Sequence, residues 1–138
     1  ELLRSIRMYP PNSQLKYLLY RLINVDDDHF SKRIQVGDYV SSGLKNTNVH
    51  GVNNKTHSYW LFPIRTNRRE ALVKELRESG FDATFTSTQL IPIKPSIGDQ
   101  VAPVNCEEYM SETIYLPVYD SLPKKKRDQL ISVINKVV

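Results

Sequence analysis

The chain has 138 residues, 40% of them hydrophobic and 25% charged, enough for one domain with a packed core and little beyond it. No apolar run approaches the roughly 20 residues of a membrane span, and the single cysteine, Cys106, excludes an internal disulfide. The net charge of +4 comes from basic residues scattered along the chain, apart from Lys124-Lys-Lys-Arg127, so a solvated basic surface is expected rather than nucleic-acid binding.

The chain opens on Glu1-Leu-Leu-Arg4, with no initiator Met and in a helical pattern, and is expected to be part of a longer protein. Pro10-Pro11 ends that segment, since residues before proline leave the helical region. Asn12 or Ser13 is then placed to cap a helix with Leu15, Leu18, Leu19, Leu22 and Ile23 on one face. Asp26-Asp-Asp28 supplies a cap and negative charge for a second helix, which turns Phe30, Ile34, Val40 and Leu44 inward and Lys32, Arg33, Gln35 and Asp38 outward. Both helices carry too much apolar face to stand alone. Residues 45–56 read as a polar, Asn-rich loop.

The run Ser58-Tyr-Trp-Leu-Phe-Pro-Ile-Arg-Thr66 is apolar enough for a strand buried on both faces, with Pro63 at an edge or bulge. Asn67 and Glu70 have the spacing of a capping box for a helix over 68–79, which buries Ala71, Leu72 and Leu76 and stops at Gly80. Residues 81–88 alternate as a strand with one wet face. Prolines make 89–103 irregular, Asn105 is placed to cap a short helix, and 113–118 form a strand closed by Pro117. A last helix from Pro123 buries Leu130, Ile131, Ile134 and Val137. The fold class is therefore α/β (α+β). The expected sheet is small and three-stranded, mixed or antiparallel, built from strands near 58–65, 83–87 and 113–116. The helices 68–79 and 123–136 pack on one of its faces, and long helices precede it.

Catalytic patterns are sparse. The 5 glycines form no phosphate loop, and none of the three histidines has a sequence neighbour that would make it a catalytic base or a zinc ligand. Glu107 and Glu108 diverge on a helix and serve its N-terminus. Trp60 beside Tyr59 has the chemistry to stack on a ligand ring. Flanked by Leu61 and Phe62, it is instead expected in the core, together with Leu116. Lys94, between two prolines, is the loop residue most suited to binding.

Two stretches carry a resemblance: Ser58-Tyr-Trp-Leu-Phe-Pro-Ile-Arg65 with the helix, Gly80 and strand that follow, and Tyr115-Leu-Pro-Val-Tyr-Asp-Ser-Leu122 with its closing helix. In this order they resemble the C-terminal part of the DegT/DnrJ/EryC1/StrS family of pyridoxal-phosphate-dependent, fold type I aminotransferases. The resemblance implies that residues 1–50 are a helical connection from a large domain and that 51–138 are the small domain. That small domain closes the substrate side of a site whose catalytic lysine and cofactor cradle lie elsewhere. It further implies pyridoxal phosphate and a substrate such as a nucleotide-sugar in the parent, a homodimer, and a cytoplasmic location. No cofactor, metal or membrane is expected for this chain alone. The candidate substrate-side residues are Lys94 and Tyr59, although at Ile91-Pro-Ile-Lys94 the family often has a Pro-x-His pattern. The competing expectation is a non-catalytic module that recognises an acidic partner through Lys124-Lys-Lys-Arg127, Arg65, Arg68 and Arg69.

Overall fold

The computed structural model describes residues 10–25, 27–51, 53–85 and 103–138. In chain order the elements are α1 (Asn12–Ile23), α2 (Asp27–Gly43), β1 (Asn48–Val49), β2 (Pro63–Arg65), α3 (Arg69–Glu78), α4 (Val104–Glu112), β3 (Thr113–Tyr115) and α5 (Lys124–Val137). The sheet is antiparallel in the order β1-β2-β3. Most of it is the β2–β3 ladder, which pairs Pro63 with Tyr115, Ile64 with Ile114 and Arg65 with Thr113. β1 adds Asn48 opposite Arg65 and Val49 opposite Ile64.

The α/β class is as expected, but the particular three-stranded sheet is not the one found. Residues 83–85 contribute a single bridge, Thr84 to Tyr115, and 86–88 lie outside the described residues. The place beside β2 goes to Asn48–Val49, inside the stretch read as loop. Pro63 sits at the first residue of its strand, where a missing N–H costs the ladder least.

Layering follows from the apolar spacing. Helix α2 packs on α5, α5 on α3, and α3 against β3. Val36, Val40, Ile64, Leu72, Leu76, Ile114, Leu130 and Ile134 meet in one core, and Leu116 is buried with them as expected. Helix α2 enters this core only through its second half. Phe30, expected inside, is therefore exposed, and Ile34 and Leu44 are only half-buried. Helix α1 buries none of its stripe: Leu15, Leu18, Leu19, Leu22 and Ile23 all face out.

Three helix starts differ from expectation. Helix α1 begins after Pro11, without the side-chain cap predicted from Asn12 or Ser13. At α3 the capping box of Asn67 and Glu70 does not form. The buried Thr66 takes the role instead, its Oγ1 accepting the Arg68 N–H at 3.1 Å. Helix α4 begins after Pro103 rather than at an Asn105 cap. The stop at Gly80 is as expected. Its φ of +82° lets Phe81 N–H reach Leu76 C=O and Gly80 N–H reach Arg77 C=O, both at 2.9 Å, the paired bonds of a Schellman turn.

Candidate functional site

The feature that distinguishes this fold is the turn into β2. Tyr59 has φ +47°, a left-handed backbone that bulky residues avoid. Two neighbours at this turn lie in opposite environments. Tyr59 is 5% exposed and belongs to the core, whereas Trp60, expected in the core, is 76% exposed. An extended strand through 59–62 would have placed them on opposite sheet faces. The departure from that alternation comes one residue later, where Leu61 stands exposed beside Trp60 instead of turning inward.

Contacts with four residues hold Tyr59 in that conformation. Its hydroxyl donates to Asp38 Oδ1 at 2.7 Å. Its N–H donates to His57 Nδ1 at 2.9 Å, which fixes that nitrogen as an acceptor. Its ring stacks on His57 at 4.2 Å and on Phe62 at 5.4 Å between centroids. Its ring also lies directly over Gly37 of α2, where no side chain intervenes. Burial, and then the bond to Asp38, push the Tyr59 hydroxyl up to about 12, so it remains a donor through the physiological range.

Beside this anchor lies a recess of about 200 Å³ lined by Asp38, Gly51, Asn54, Lys55, Thr56 and His57, with Tyr59 at its wall. It offers a carboxylate, an amide, a hydroxyl and an ammonium within one small volume. That volume is below the roughly 300–1,000 Å³ typical of sites for whole drug-sized ligands.

A second constellation runs along the same helix. His29 and Arg33, one turn apart on α2, meet Asp120 from the turn before α5. Arg33 Nη2 lies 2.8 Å from His29 Nε2, and His29 Nδ1 lies 2.7 Å from Asp120 Oδ2. A guanidinium only donates, so Nε2 accepts and the proton sits on Nδ1, directed at Asp120. With Nε2 occupied, His29 is not placed to act as a base, and the chain of bonds orients Arg33 instead. Partial burial would raise the Asp120 carboxyl. The His29 and Ser121 hydrogen bonds, with the charge of Arg33, outweigh that and hold it below the ordinary carboxylate range. Arg33 in turn lies over the Trp60 ring, 5.4 Å from its centroid.

Of the two residues singled out in the sequence, Tyr59 is therefore at the centre of this region and Lys94 lies outside the described residues. Sequence reasoning missed Asp120, gave His29 no partner, and turned Arg33 and Asp38 to solvent. The i, i+4 spacing of His29 and Arg33 was visible, but Asp120 is 91 residues from His29. The arginines proposed for an acidic partner are engaged within the fold. Arg65 pairs with Glu112, its Nε at 3.0 Å. Arg68, Arg69 and Arg127 donate to the carbonyls of Val137, Met110 and Leu122. Among the described residues no cluster has the composition of a metal site, and no helix is long and apolar enough to cross a membrane.

Comparison with known proteins places this geometry in context. A sequence model of the DegT/DnrJ/EryC1/StrS aminotransferase family matches residues 15–137. No curated protein matches the chain. Similar solved structures include a DegT DnrJ EryC1 StrS aminotransferase from Brucella abortus, with a TM-score of 0.66 and 19% identity over 80% of this chain and 31% of that one. DesV of S. venezuelae, solved in complex with a ketimine intermediate, gives 0.67 and 19% over 88% of this chain and 34% of its own. A sugar aminotransferase from Micromonospora echinospora gives 0.62 and 15% over 86% and 33%. At these identities the likeness is one of fold, and the chain spans about a third of each structure's length.

Proposed function

The chain belongs to the DegT/DnrJ/EryC1/StrS aminotransferase family, and from that membership we propose that it is the C-terminal, small-domain part of a pyridoxal-phosphate-dependent sugar aminotransferase. The observation that carries this reading is the family match, which runs almost from end to end of a chain one third the length of its solved relatives. In this proposal residues 51–138 form the small domain, and residues 1–50 connect it to the remainder, with Val36 and Val40 seated in its core. The domain covers the substrate side of the site, with Lys94 and the recess walled by Tyr59 on that side, and a nucleotide-sugar is the class of acceptor. The parent is a cytoplasmic homodimer.

The described residues do not fit the cofactor itself. Holding it requires an amine whose pKa is depressed by burial or a neighbouring cation, an acidic partner for the ring nitrogen and donors around the phosphate. Each described lysine is exposed, and the carboxylate of the recess, Asp38, is taken by the Tyr59 hydroxyl. No chemical step through the cofactor is therefore assigned to this chain, and the catalytic lysine is proposed to lie outside it.

The test is borohydride trapping of the full-length gene product loaded with pyridoxal phosphate, followed by peptide mapping and an amino-donor assay. One trapped lysine outside this chain, with turnover, is the expected result. One trapped lysine inside residues 1–138, with turnover by this chain alone, would overturn the reading.

A further inference from the structure

We propose that Trp60 and Arg33 form a binding site for a planar organic anion, a flat conjugated ring carrying an oxyanion group. The proposal does not depend on the aminotransferase reading. It begins from a backbone that works against its own relaxation. A bulky residue at φ +47° is strained, and beside it the only tryptophan in the chain stands 76% exposed. The turn is nevertheless tied down by the Asp38 and His57 hydrogen bonds, by two ring stacks and by the fit over Gly37. Tyr59 is thus a positioning residue for Trp60.

The second half of the site is equally fixed. An exposed arginine ordinarily samples many rotamers. Here one N–H of Arg33 is committed to His29 Nε2, and His29 is itself held by Asp120. That leaves a guanidinium with further donors, oriented before any ligand arrives, on one side of an indole whose surface is otherwise open.

The pairing dictates the ligand class. An indole face favours a flat π-system, and a planar guanidinium favours carboxylate or phosphate oxygens through charge-assisted bonds. A cationic ring would meet the Arg33 charge, and a neutral ring would gain only the stack. A compact inorganic anion would gain only the guanidinium.

Because Trp60 is the sole tryptophan, its fluorescence reports this site and no other. The experiment titrates the 138-residue chain with phenyl phosphate, and separately with benzyl alcohol and with inorganic phosphate. Phenyl phosphate should quench saturably, at concentrations about tenfold or more below either half-ligand. Arg33→Gln should abolish that advantage, leaving phenyl phosphate no better than benzyl alcohol. Arg33→Lys, which keeps the charge but loses the planar fork, should fall between the two. Circular dichroism melts of both variants should match the parent. Equal quenching by phenyl phosphate and benzyl alcohol in the parent would overturn the proposal, as would an affinity unchanged in a folded Arg33→Gln or quenching that never saturates.

Discussion

Gly37→Ala is the substitution that bears most directly on the Tyr59 anchor. In the interior of an exposed helix the change from glycine to alanine stabilises by about 1 kcal/mol, because alanine loses less backbone entropy on folding. At this position the added methyl would stand 2.3 Å from both Cγ and Cδ2 of Tyr59. Those atoms are the root of the ring, not its mobile tip, so the whole side chain would have to move by roughly 1 Å to restore van der Waals contact. Movement on that scale stretches the Asp38 bond, worth about 1 kcal/mol or more for a charged acceptor, and disturbs stacks worth about 0.5–1.5 kcal/mol each. Because the root of the ring must move, the cost should lie near the upper end of the roughly 1–3 kcal/mol typical of overpacking, which after the helical gain leaves a net loss of about 2 kcal/mol. Urea denaturation followed by circular dichroism measures it, and Trp60 fluorescence reports whether the turn shifts. In a Tyr59→Gly background the obstruction is gone and Gly37→Ala should become stabilising by about 1 kcal/mol, which gives a coupling of about 3 kcal/mol. A Gly37→Ala variant as stable as the parent, or more so, would refute the reasoning. Gly43→Ala supplies the contrast. Its methyl would meet the tip of Ile131, Cδ1, at 2.6 Å, and a rotamer change can relieve that contact, so its cost should be the smaller of the two.

Leu116→Ala removes a side chain that is 6% exposed in the core and should cost about 2–5 kcal/mol in a denaturant melt, whereas a loss below about 0.5 kcal/mol would mark a surface position. Gly80→Ala meets no atom within 4 Å but keeps φ +82°, so the strain is purely of the backbone; it should cost about 1 kcal/mol, and Gly80→Asn should melt closer to the parent. His50 lies against Tyr109 at 5.0 Å between ring centroids, near the Arg65–Glu112 pair, and its Nε2 is buried without a partner among the described residues. Burial, and then the charge of Arg65, hold it below 6.5, so the unfolded chain binds more protons as the pH falls from that value toward the folded one. Stability should therefore decline with acidification across that window and level off below it, and His50→Phe should flatten the urea-midpoint profile there.

Periodicity made the long-range core legible wherever a helix had one apolar face and a defined end. Leu72, Leu76, Leu130 and Ile134 repeat at helical spacing, and Gly80 could only be a stop. The sheet was less legible because its strands are two or three residues long, too short for alternation to declare itself. Asn48–Val49 becomes a strand by lying opposite Ile64–Arg65, not through any preference of its own. Helix α1 shows the opposite failure. Its amphipathic pattern is clear, but a pattern specifies that a face is apolar and not what covers it, and among the described residues nothing does.

The candidate site was the least legible part, for a reason that Tyr59 makes concrete. Local preference assigns an aromatic run such as Tyr59-Trp60-Leu61-Phe62 to an extended strand, and nothing within the run predicts a left-handed residue. That conformation is stable only because Gly37 leaves room for a ring and Asp38, one residue later on the same helix, accepts its hydroxyl, more than twenty positions earlier in the chain. The orientation of Arg33 likewise depends on Asp120, which reaches it through His29. Both halves of the site are therefore properties of how α2 docks, since one helix supplies the gap, the acceptor, the histidine and the guanidinium. A change that displaced α2 would lose the exposed indole and its arginine together, whereas a change confined to residues 60–62 would leave Arg33 oriented with nothing to stack on.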